Sequence, residues 1–307
     1  MSCVLGIDIG GTSIKAGLFT PEGKLVEVKK IPTGAIDDEK AFAEVCEGLS
    51  SLVVGAGFLP DDVSAVGLDI PGPVDDSGRV GMLPNIRLDP DGLKTAIKHE
   101  FGNAALAFVN DANAAALGEL WQGSARDLSS FVMVTLGTGV GGGVISGGRL
   151  VRGCRGIAGE LGHFSIDRNG VPCSCGGRGC FERYASTTAL LKMAAEADPS
   201  DPVKDGRDFF SRVRNGDGIQ MTVLDRWLDC AALGLTGLIH IFNPEIVLIG
   251  GGVSAQEELL IRPLRDKVRK MLMPRFAENL RLEAARLGND AGMVGALKFW
   301  LDQEEAK

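Results

Sequence analysis

The chain of 307 residues lacks the features that mark nucleic-acid-binding and secreted proteins. Its formal charge is −8, whereas a nucleic-acid surface needs a basic face, so no nucleic-acid partner is expected. Its seven cysteines, an odd number, argue against a disulfide framework. No export signal is recognisable, because Asp8 and a glycine pair interrupt the first apolar run. We therefore expect a protein of the reducing cytoplasm.

The sequence also has no apolar run suited to crossing a membrane. Its most apolar stretch, 231–252, is interrupted by His240, Asn243, Pro244 and Glu245, whereas a spanning helix needs about 20 mainly apolar residues. Hydrophobic residues make up 45% of the chain and charged residues 23%, as in ordinary globular proteins. The length exceeds one average domain, so two lobes are expected.

Histidine is scarce, yet one of the three histidines is followed closely by three of the seven cysteines. These residues are His163, Cys173, Cys175 and Cys180. One imidazole and three thiolates form a standard closed site for structural zinc, and the glycines between the thiols let a short loop bend tightly. The alternative is a group of free thiols. The sequence predicts zinc, in a loop that would hold the carboxylates of Glu160 and Glu182 still.

The order of predicted elements indicates an α/β fold with two similar lobes. Three strands, a helix, a strand, a helix and a strand are predicted at 4–9, 14–19, 25–31, 38–55, 63–70, 91–101 and 104–109. From Ser130, strands are predicted at 131–136, 140–146, 246–249 and 280–285, and helices at 186–197, 219–241, 256–271 and 291–303. This alternation predicts a mixed sheet flanked by helices in each lobe, with a cleft between the lobes. We expect lobes at 1–115, with helix 291–307 packed back on it, and at 116–290, including the zinc-binding segment 160–182.

Two glycine-rich hairpins are candidates for phosphate contact. They read Asp8-Ile-Gly10-Gly11-Thr12-Ser-Ile-Lys15 and Thr135-Leu-Gly137-Thr138-Gly139. Glycine N–H groups can approach an anion closely, and threonine hydroxyls add donors. Neither hairpin matches Walker A or opens a helix as the dinucleotide fingerprint requires, and each alone could be a plain tight turn. A third run, Gly250-Gly251-Gly252, follows a predicted strand, where α/β proteins place ligands.

Asp111 lies between a predicted strand and a predicted helix, and two interpretations stay open for it. Aspartate is a favoured N-cap, so Asp111 could simply begin the helix. A carboxylate at the carboxyl end of a strand can also act as a general base.

The motifs in this order resemble the ROK (repressor, open reading frame, kinase) family of sugar kinases, which has the actin-like ATPase (ribonuclease H-like) fold. The likeness runs almost end to end and includes the two hairpins, Pro71-Gly72-Pro-Val-Asp75, Asn110-Asp111-Ala-Asn113, Glu160-Leu-Gly-His163, the cysteine segment through Glu182 and Gly250-Gly-Gly-Val-Ser254. Within the family, segments 116–123 and 287–292 are most similar to bacterial ATP-dependent glucokinases.

The resemblance implies a kinase that transfers phosphate from ATP to the 6-hydroxyl of glucose, with Asp111 as the general base. It implies sugar contacts at Asn110, Glu160, His163, Glu182, Gly72 and Asn85. Phosphate and Mg²⁺ would be held by Asp8, Gly10, Gly11, Thr12, Lys15, Thr135, Gly137, Thr138 and Gly139. The adenosine would lie near Gly250, Gly251 and Gly252. The implied ligands of Zn²⁺ are His163, Cys173, Cys175 and Cys180, and the implied assembly is a homodimer.

The sequence leaves several alternatives to a glucose kinase open. Family repressors carry a helix-turn-helix domain before the first hairpin, and the position of Asp8 leads us to expect none. A nicotinamide dehydrogenase would need a helix directly after a Gly-x-Gly-x-x-Gly turn. Among kinases, N-acetylmannosamine, N-acetylglucosamine, fructose and allose remain alternative substrates. The segment 83–89 lacks the tryptophan usual in the family, and Ser77-Gly-Arg79 resembles N-acetylmannosamine kinases.

Overall fold

The structure is a computed structural model that describes residues 2–11, 13–32, 34–81, 83, 86–102 and 104–305. It divides into two compact units. The first unit comprises Met1–Arg126, Arg152–Ala158 and Asn289–Lys307, and the second comprises Asp127–Val151 and Gly159–Gly288. The boundary expected after residue 115 falls inside the helix Asp111–Gln122, which lies wholly in the first unit.

The first unit contains a five-stranded mixed sheet. Its strands are β1 (Cys3–Ile9), β2 (Ser13–Phe19), β3 (Leu25–Pro32), β4 (Val63–Ile70) and β5 (Ala105–Asn110). Their order is β3-β2-β1-β4-β5; β1, β2 and β3 pair antiparallel, and β1, β4 and β5 pair parallel. The helices of this unit are α1 (Glu39–Gly55), α2 (Pro90–Glu100) and α3 (Asp111–Gln122), together with the last helix of the chain.

The second unit repeats this strand arrangement. Its strands are β6 (Phe131–Leu136), β7 (Val140–Ser146), β8 (Arg149–Leu150), β9 (Ile246–Gly250) and β10 (Leu282–Ala284), in the order β10-β9-β6-β7-β8. Again three strands pair antiparallel and the later two pair parallel. The helices are α4 (Glu182–Ala185), α5 (Thr187–Ala197), α6 (Gly206–Arg214), α7 (Gly218–Phe242), α8 (Arg262–Met271) and α9 (Pro274–Ala277). The mixed sheets flanked by helices confirm the predicted fold class.

The last helix, α10 (Ala291–Glu305), covers the first sheet and lies against α3. Glycines permit this close approach: a Cβ at Gly67 of β4 would lie 2.3 Å from the carbonyl oxygen of Ala296. A Cβ at Gly295 would lie 1.6 Å from the carbonyl oxygen of Ala114. Both contacts are with backbone atoms that cannot move aside, so a larger residue would force α10 away from the sheet at Gly67 or away from α3 at Gly295.

Most predicted elements are present, with differences of one or two residues at their ends. The predicted helix 256–271 differs in kind, because it begins with a π-helical turn, Glu257–Ile261, before α8. The sequence analysis missed α6, a short polar helix that buries Phe209, Phe210 and Val213. Among the described residues, no helix is long and apolar enough to cross a membrane.

Candidate active site

In the first unit, the carboxyl ends of three parallel strands bring acidic and amide side chains together. Asp8 of β1 pairs in register with Asp69 of β4, and Ile70 of β4 pairs with Asn110 of β5. Because parallel strands end at the same edge of a sheet, these side chains and Asp111, the first residue of α3, share one edge. This is the edge at which open α/β sheets bind ligands.

Asn110, and not Asp111, is the N-cap of α3. Its side-chain oxygen accepts a hydrogen bond of 3.0 Å from the backbone N–H of Asn113. Its amide nitrogen donates to the carbonyl oxygen of Gly72 at 3.2 Å and to Asp111 Oδ1 at 3.0 Å. Asp111 Oδ1 also accepts from the N–H of Ala112 at 2.8 Å. Asp111 is therefore held in place by its neighbours but is exposed, and the capping interpretation belongs to Asn110.

Asp69 is an acidic residue fully buried beside Asp8. Neither of its oxygens makes a well-formed hydrogen bond with a described residue. Burial raises the pKa of Asp69 well above its usual value, and the charges of Asp8 and Asp111 add to this effect. Burial also raises the pKa of Asp8, although the side chain of Asp69 and the charge of Lys15 both oppose this effect. A Cβ at Gly292 would lie 2.6 Å from Asp69 Oδ2 and 3.2 Å from Asp8 Cγ, so the first turn of α10 lies directly against both carboxyl groups.

Asp8, the partly exposed member of this pair, fits a divalent cation that accompanies a nucleotide. Hard cations such as Mg²⁺ take oxygen ligands, often one or two carboxylates together with phosphates. Lys15 faces Asp8 from β2, but its ammonium contacts Asp290 Oδ1 and donates to the carbonyl oxygen of Asn289 at 3.2 Å. Negative charge therefore remains at this edge for a cation to neutralise.

The structure describes some of the remaining residues that were predicted to bind ligands in the first unit. The N–H of Gly10 donates to the carbonyl oxygen of Ser13 at 3.1 Å and closes the first hairpin, and Gly11 is exposed at its tip. Gly72 lies in the turn after β4, next to Asn110. Thr12 and Asn85 lie outside the described residues.

In the second unit, the hairpin between β6 and β7 is tied to the start of α5. The N–H of Gly137 donates to the carbonyl oxygen of Gly139 at 3.0 Å, and Thr138 is exposed at the tip. The N–H of Thr187 donates to the carbonyl oxygen of Gly137 at 2.8 Å, and the hydroxyl of Thr188 donates to the carbonyl oxygen of Thr138 at 2.7 Å. These bonds fix the carbonyls of the hairpin, while a Cβ at Gly137 would meet nothing within 4 Å.

Glu182 is held against the same hairpin. Its Oε2 accepts a hydrogen bond of 3.1 Å from the N–H of Val140. A Cβ at Gly139 would lie 2.3 Å from this oxygen, so the absence of a side chain at Gly139 makes room for the carboxylate. The hairpin and the carboxylate predicted for the sugar are thus joined within one unit.

The third glycine run lies beside the second hairpin. Gly250 ends β9 and pairs in register with Thr135 of β6. Gly251 has a φ of 88°, and a Cβ there would lie 2.3 Å from the carbonyl oxygen of Leu136. Gly251 and Gly252 are exposed, so the strand ends in a bare backbone turn next to β6. A Cβ at Gly252 would meet nothing within 4 Å, so the open backbone of this turn lies at Gly252.

The predicted zinc ligands do come together. The ligand atoms of His163, Cys173, Cys175 and Cys180 all lie within 4.8 Å of one another. Cys175 Sγ is 3.5 Å from Cys180 Sγ, and Cys173 Sγ is 3.7 Å from His163 Nδ1. Ligands of a tetrahedral zinc are separated by roughly 3.5 to 3.8 Å, given its bond lengths. The donor set and its spacing therefore fit Zn²⁺.

The pKa values of the thiols are consistent with a cation site. Burial raises the pKa of Cys180 to about 12, and its hydrogen bonds with Cys175 and Cys173 add to this effect. Burial also acts to raise the pKa of Cys173, but hydrogen bonds with Cys175, Cys180 and His163 lower it to about 7. Thiols this close compete for one proton, and a bound metal removes the conflict because it favours thiolates.

The loop around the cluster also places His163 and the two glutamates. The N–H of His163 donates to the carbonyl oxygen of Glu160 at 3.1 Å, and the N–H of Glu182 donates to the carbonyl oxygen of Gly162 at 2.9 Å. Because Nδ1 of His163 faces the thiols, its Nε2 points away from them. Glu160 is exposed, and Glu182 is half-buried.

The sequence analysis missed three residues of these sites. Thr187 and Thr188 carry no local signal, because their partners lie about 50 residues earlier. Asp69 did have a signal: it is the one charged residue in the mainly apolar segment Val63–Ile70. Strands in the middle of a parallel sheet are normally apolar throughout, so an acid there calls for an explanation.

Comparison with known proteins places the chain in a family. Residues 4–303 match the model of the ROK family. The chain belongs to the ROK family. It is 36% identical to a glucokinase of Thermotoga maritima over 312 residues, covering 95% of each chain. It is also 31% identical to a putative xylose repressor of a Caldicellulosiruptor species over 308 residues, covering 96% of this chain and 77% of the repressor.

A solved structure of the family is similar to the chain in both fold and sequence. The chain superposes with a TM-score of 0.82 on a ROK family glucokinase from Streptomyces griseus, in complex with glucose and AMPPNP. That protein is 34% identical, and the match covers 97% of this chain and 99% of the glucokinase. The neighbour supports the predicted family fold across nearly the whole length.

Proposed function

We propose that this ATP-dependent sugar kinase phosphorylates glucose on its 6-hydroxyl, with Asp111 as the general base. The observation that carries the proposal is the placement of Asp111 at the carboxyl end of β5. Its carboxylate is exposed, and Asn110 provides the helix cap in its place. A base needs an accessible carboxylate whose direction is fixed, and the contacts with Asn110 and Ala112 supply that direction.

In the proposed reaction, Asp111 accepts the proton of the 6-hydroxyl as the sugar oxygen forms a bond to the γ-phosphorus. The bond from the γ-phosphorus to the bridging oxygen breaks, and ADP leaves. Mg²⁺, when bound beside Asp8 with the nucleotide, would neutralise charge on the phosphates. The hairpin amides at Gly10, Gly11, Gly137 and Gly139 would orient the phosphates, and Gly250 to Gly252 would lie against the adenosine.

Sugar recognition is assigned to four polar side chains, of which Asn110, His163 and Glu182 have contacts that hold them in place. Asn110, Glu160, His163 and Glu182 would donate to or accept from the hydroxyls of the sugar. Glu182 is tied to Val140, and the turn at His163 is closed by the carbonyl oxygen of Glu160. Polar groups that are held in place discriminate sharply against a sugar that lacks a matching hydroxyl.

The zinc would act as a structural ion. Three thiolates and one imidazole complete a tetrahedral shell, which leaves no position for substrate. Bound through Nδ1, His163 would keep a fixed N–H at Nε2 for the sugar. The homodimer implied by the family stays a prediction.

The test is steady-state kinetics with ATP and Mg²⁺ across glucose, mannose, glucosamine, fructose, allose, N-acetylglucosamine and N-acetylmannosamine. We expect the highest kcat/KM for glucose, followed by mannose or glucosamine. A clear preference for an N-acetylhexosamine, fructose or allose would contradict the choice of glucose but retain the kinase. Failure to phosphorylate any sugar would contradict the kinase itself and favour a regulator like the xylose repressors.

A further inference from the structure

The reaction described above assigns no role to Asp69. The position of this residue, however, suggests that it has one. Its side chain is fully buried, and neither oxygen makes a well-formed hydrogen bond with a described residue. Burial of a carboxyl group without a well-formed hydrogen bond costs folding free energy, because the group loses its hydration. A residue that weakens the fold in this way is commonly kept for function.

The neighbours of Asp69 indicate which function. Asp8 is its register partner on β1, and both carboxyl groups lie against the first turn of α10 at Gly292. The charge of Asp111 also acts on Asp69. The ammonium of Lys15, which faces this edge from β2, is engaged by Asp290. Three acids therefore converge, and a further cation would balance them.

We propose that Asp69 is a positioning residue of the divalent-cation site, which holds the Asp8 carboxylate towards the cation. The inference rests on the proposed function, because Mg²⁺ enters this site with the nucleotide. Asp69 acts through Asp8: it has no exposed surface, whereas Asp8 is partly exposed. The raised pKa of Asp69 favours its neutral form, which lets both acids lie side by side in the apoprotein.

The experiment measures Mn²⁺ binding to the full-length protein by electron paramagnetic resonance, with and without a non-hydrolysable ATP analogue. In Asp69→Asn the side chain keeps its shape but loses its carboxyl group. We expect Mn²⁺ affinity to fall roughly 10- to 100-fold, as for other residues that support metal ligands. The KM for Mg·ATP should rise while the KM for glucose stays unchanged, and the melting temperature should stay the same or increase.

Asp91→Asn is the matched control, because Asp91 is exposed on α2 and lies outside the site. It should bind Mn²⁺ like the unmodified protein. If Asp69→Asn fails to fold, Asp69→Ser is measured in the same way. Mn²⁺ affinity within twofold of the unmodified protein overturns the proposal, as does failure of both variants to fold, since the carboxyl would then serve the fold alone.

The two proposals fail separately. An unmodified protein that phosphorylates no sugar contradicts the kinase, yet its Mn²⁺ affinity relative to Asp69→Asn still tests the role of Asp69. An active kinase whose Mn²⁺ affinity is insensitive to Asp69→Asn contradicts only the inference about Asp69.

Discussion

The contact between Gly139 and Glu182 leads to a sharp prediction. In Gly139→Ala, the new methyl group would lie 2.3 Å from Glu182 Oε2. Backbone strain is not expected, because Gly139 is not among the residues with positive φ. The end of a glutamate side chain can rotate, so the protein should still fold. The carboxylate would move away from the hairpin and lose its 3.1 Å hydrogen bond with the N–H of Val140.

The size of the effect follows from that bond. A hydrogen bond to a charged group contributes about 1.5 to 3 kcal/mol. The free energy of unfolding should fall by about this amount, as measured by urea denaturation. If Glu182 binds sugar, the misplaced carboxylate should also weaken glucose binding. Because 1.4 kcal/mol corresponds to a factor of ten, a loss of this size lowers the affinity roughly 10- to 150-fold. Isothermal titration calorimetry with glucose measures this directly.

Gly137→Ala is a matched control in the same hairpin. A Cβ there would meet nothing within 4 Å, and Gly137 also lacks a positive φ. Its stability should stay within about 0.5 kcal/mol and its glucose affinity should be retained, whereas its nucleotide affinity is free to change. Equal losses of stability and glucose affinity in both variants would refute the reasoning, because the hairpin and not Glu182 would then be responsible.

Two further predictions concern the base and the metal. Asp111→Asn should retain glucose binding but lower kcat by about a hundredfold or more, the scale of general-base assistance; near-normal turnover in a coupled assay would place the base elsewhere. Metal analysis should find about one zinc per chain, lost in Cys180→Ser but kept in Cys154→Ser, whose thiol is exposed and outside the cluster. Chelation should weaken glucose binding before global unfolding, and unchanged glucose affinity in the zinc-free protein would separate the metal from the sugar site.

The elements predicted best are those with the strongest local pattern. Residues 63–70, 131–136 and 140–146 form strands with the predicted bounds. Each is a run of mainly apolar or small residues, and 63–70 ends at Pro71-Gly72, while 131–136 and 140–146 flank the glycine hairpin. The cluster of His163, Cys173, Cys175 and Cys180 was equally accessible to sequence reasoning, because its members are close together in the chain and of rare types.

What could not be predicted depends on contacts between distant residues. The burial of Asp69 beside Asp8 follows from the register of β1 with β4, which no local pattern reveals. The cap of α3 was open for a different reason: Asn110 and Asp111 are both good capping residues. The strand continues through Asn110 before the helix starts at Asp111. The position of this boundary decides that Asn110, and not Asp111, caps the helix.

The placement of α10 bears on how the chain folds as it is synthesised. The first unit contains the earliest residues, but its sheet is covered at Gly67 by a helix that includes Ala296. The ribosome must release almost the entire chain before this helix can dock. Until then the apolar face beneath it stays open to solvent or to a chaperone. The second unit has all its strands and helices by Gly288. We therefore expect the second unit to finish folding before the first, although the first unit contains the earliest residues.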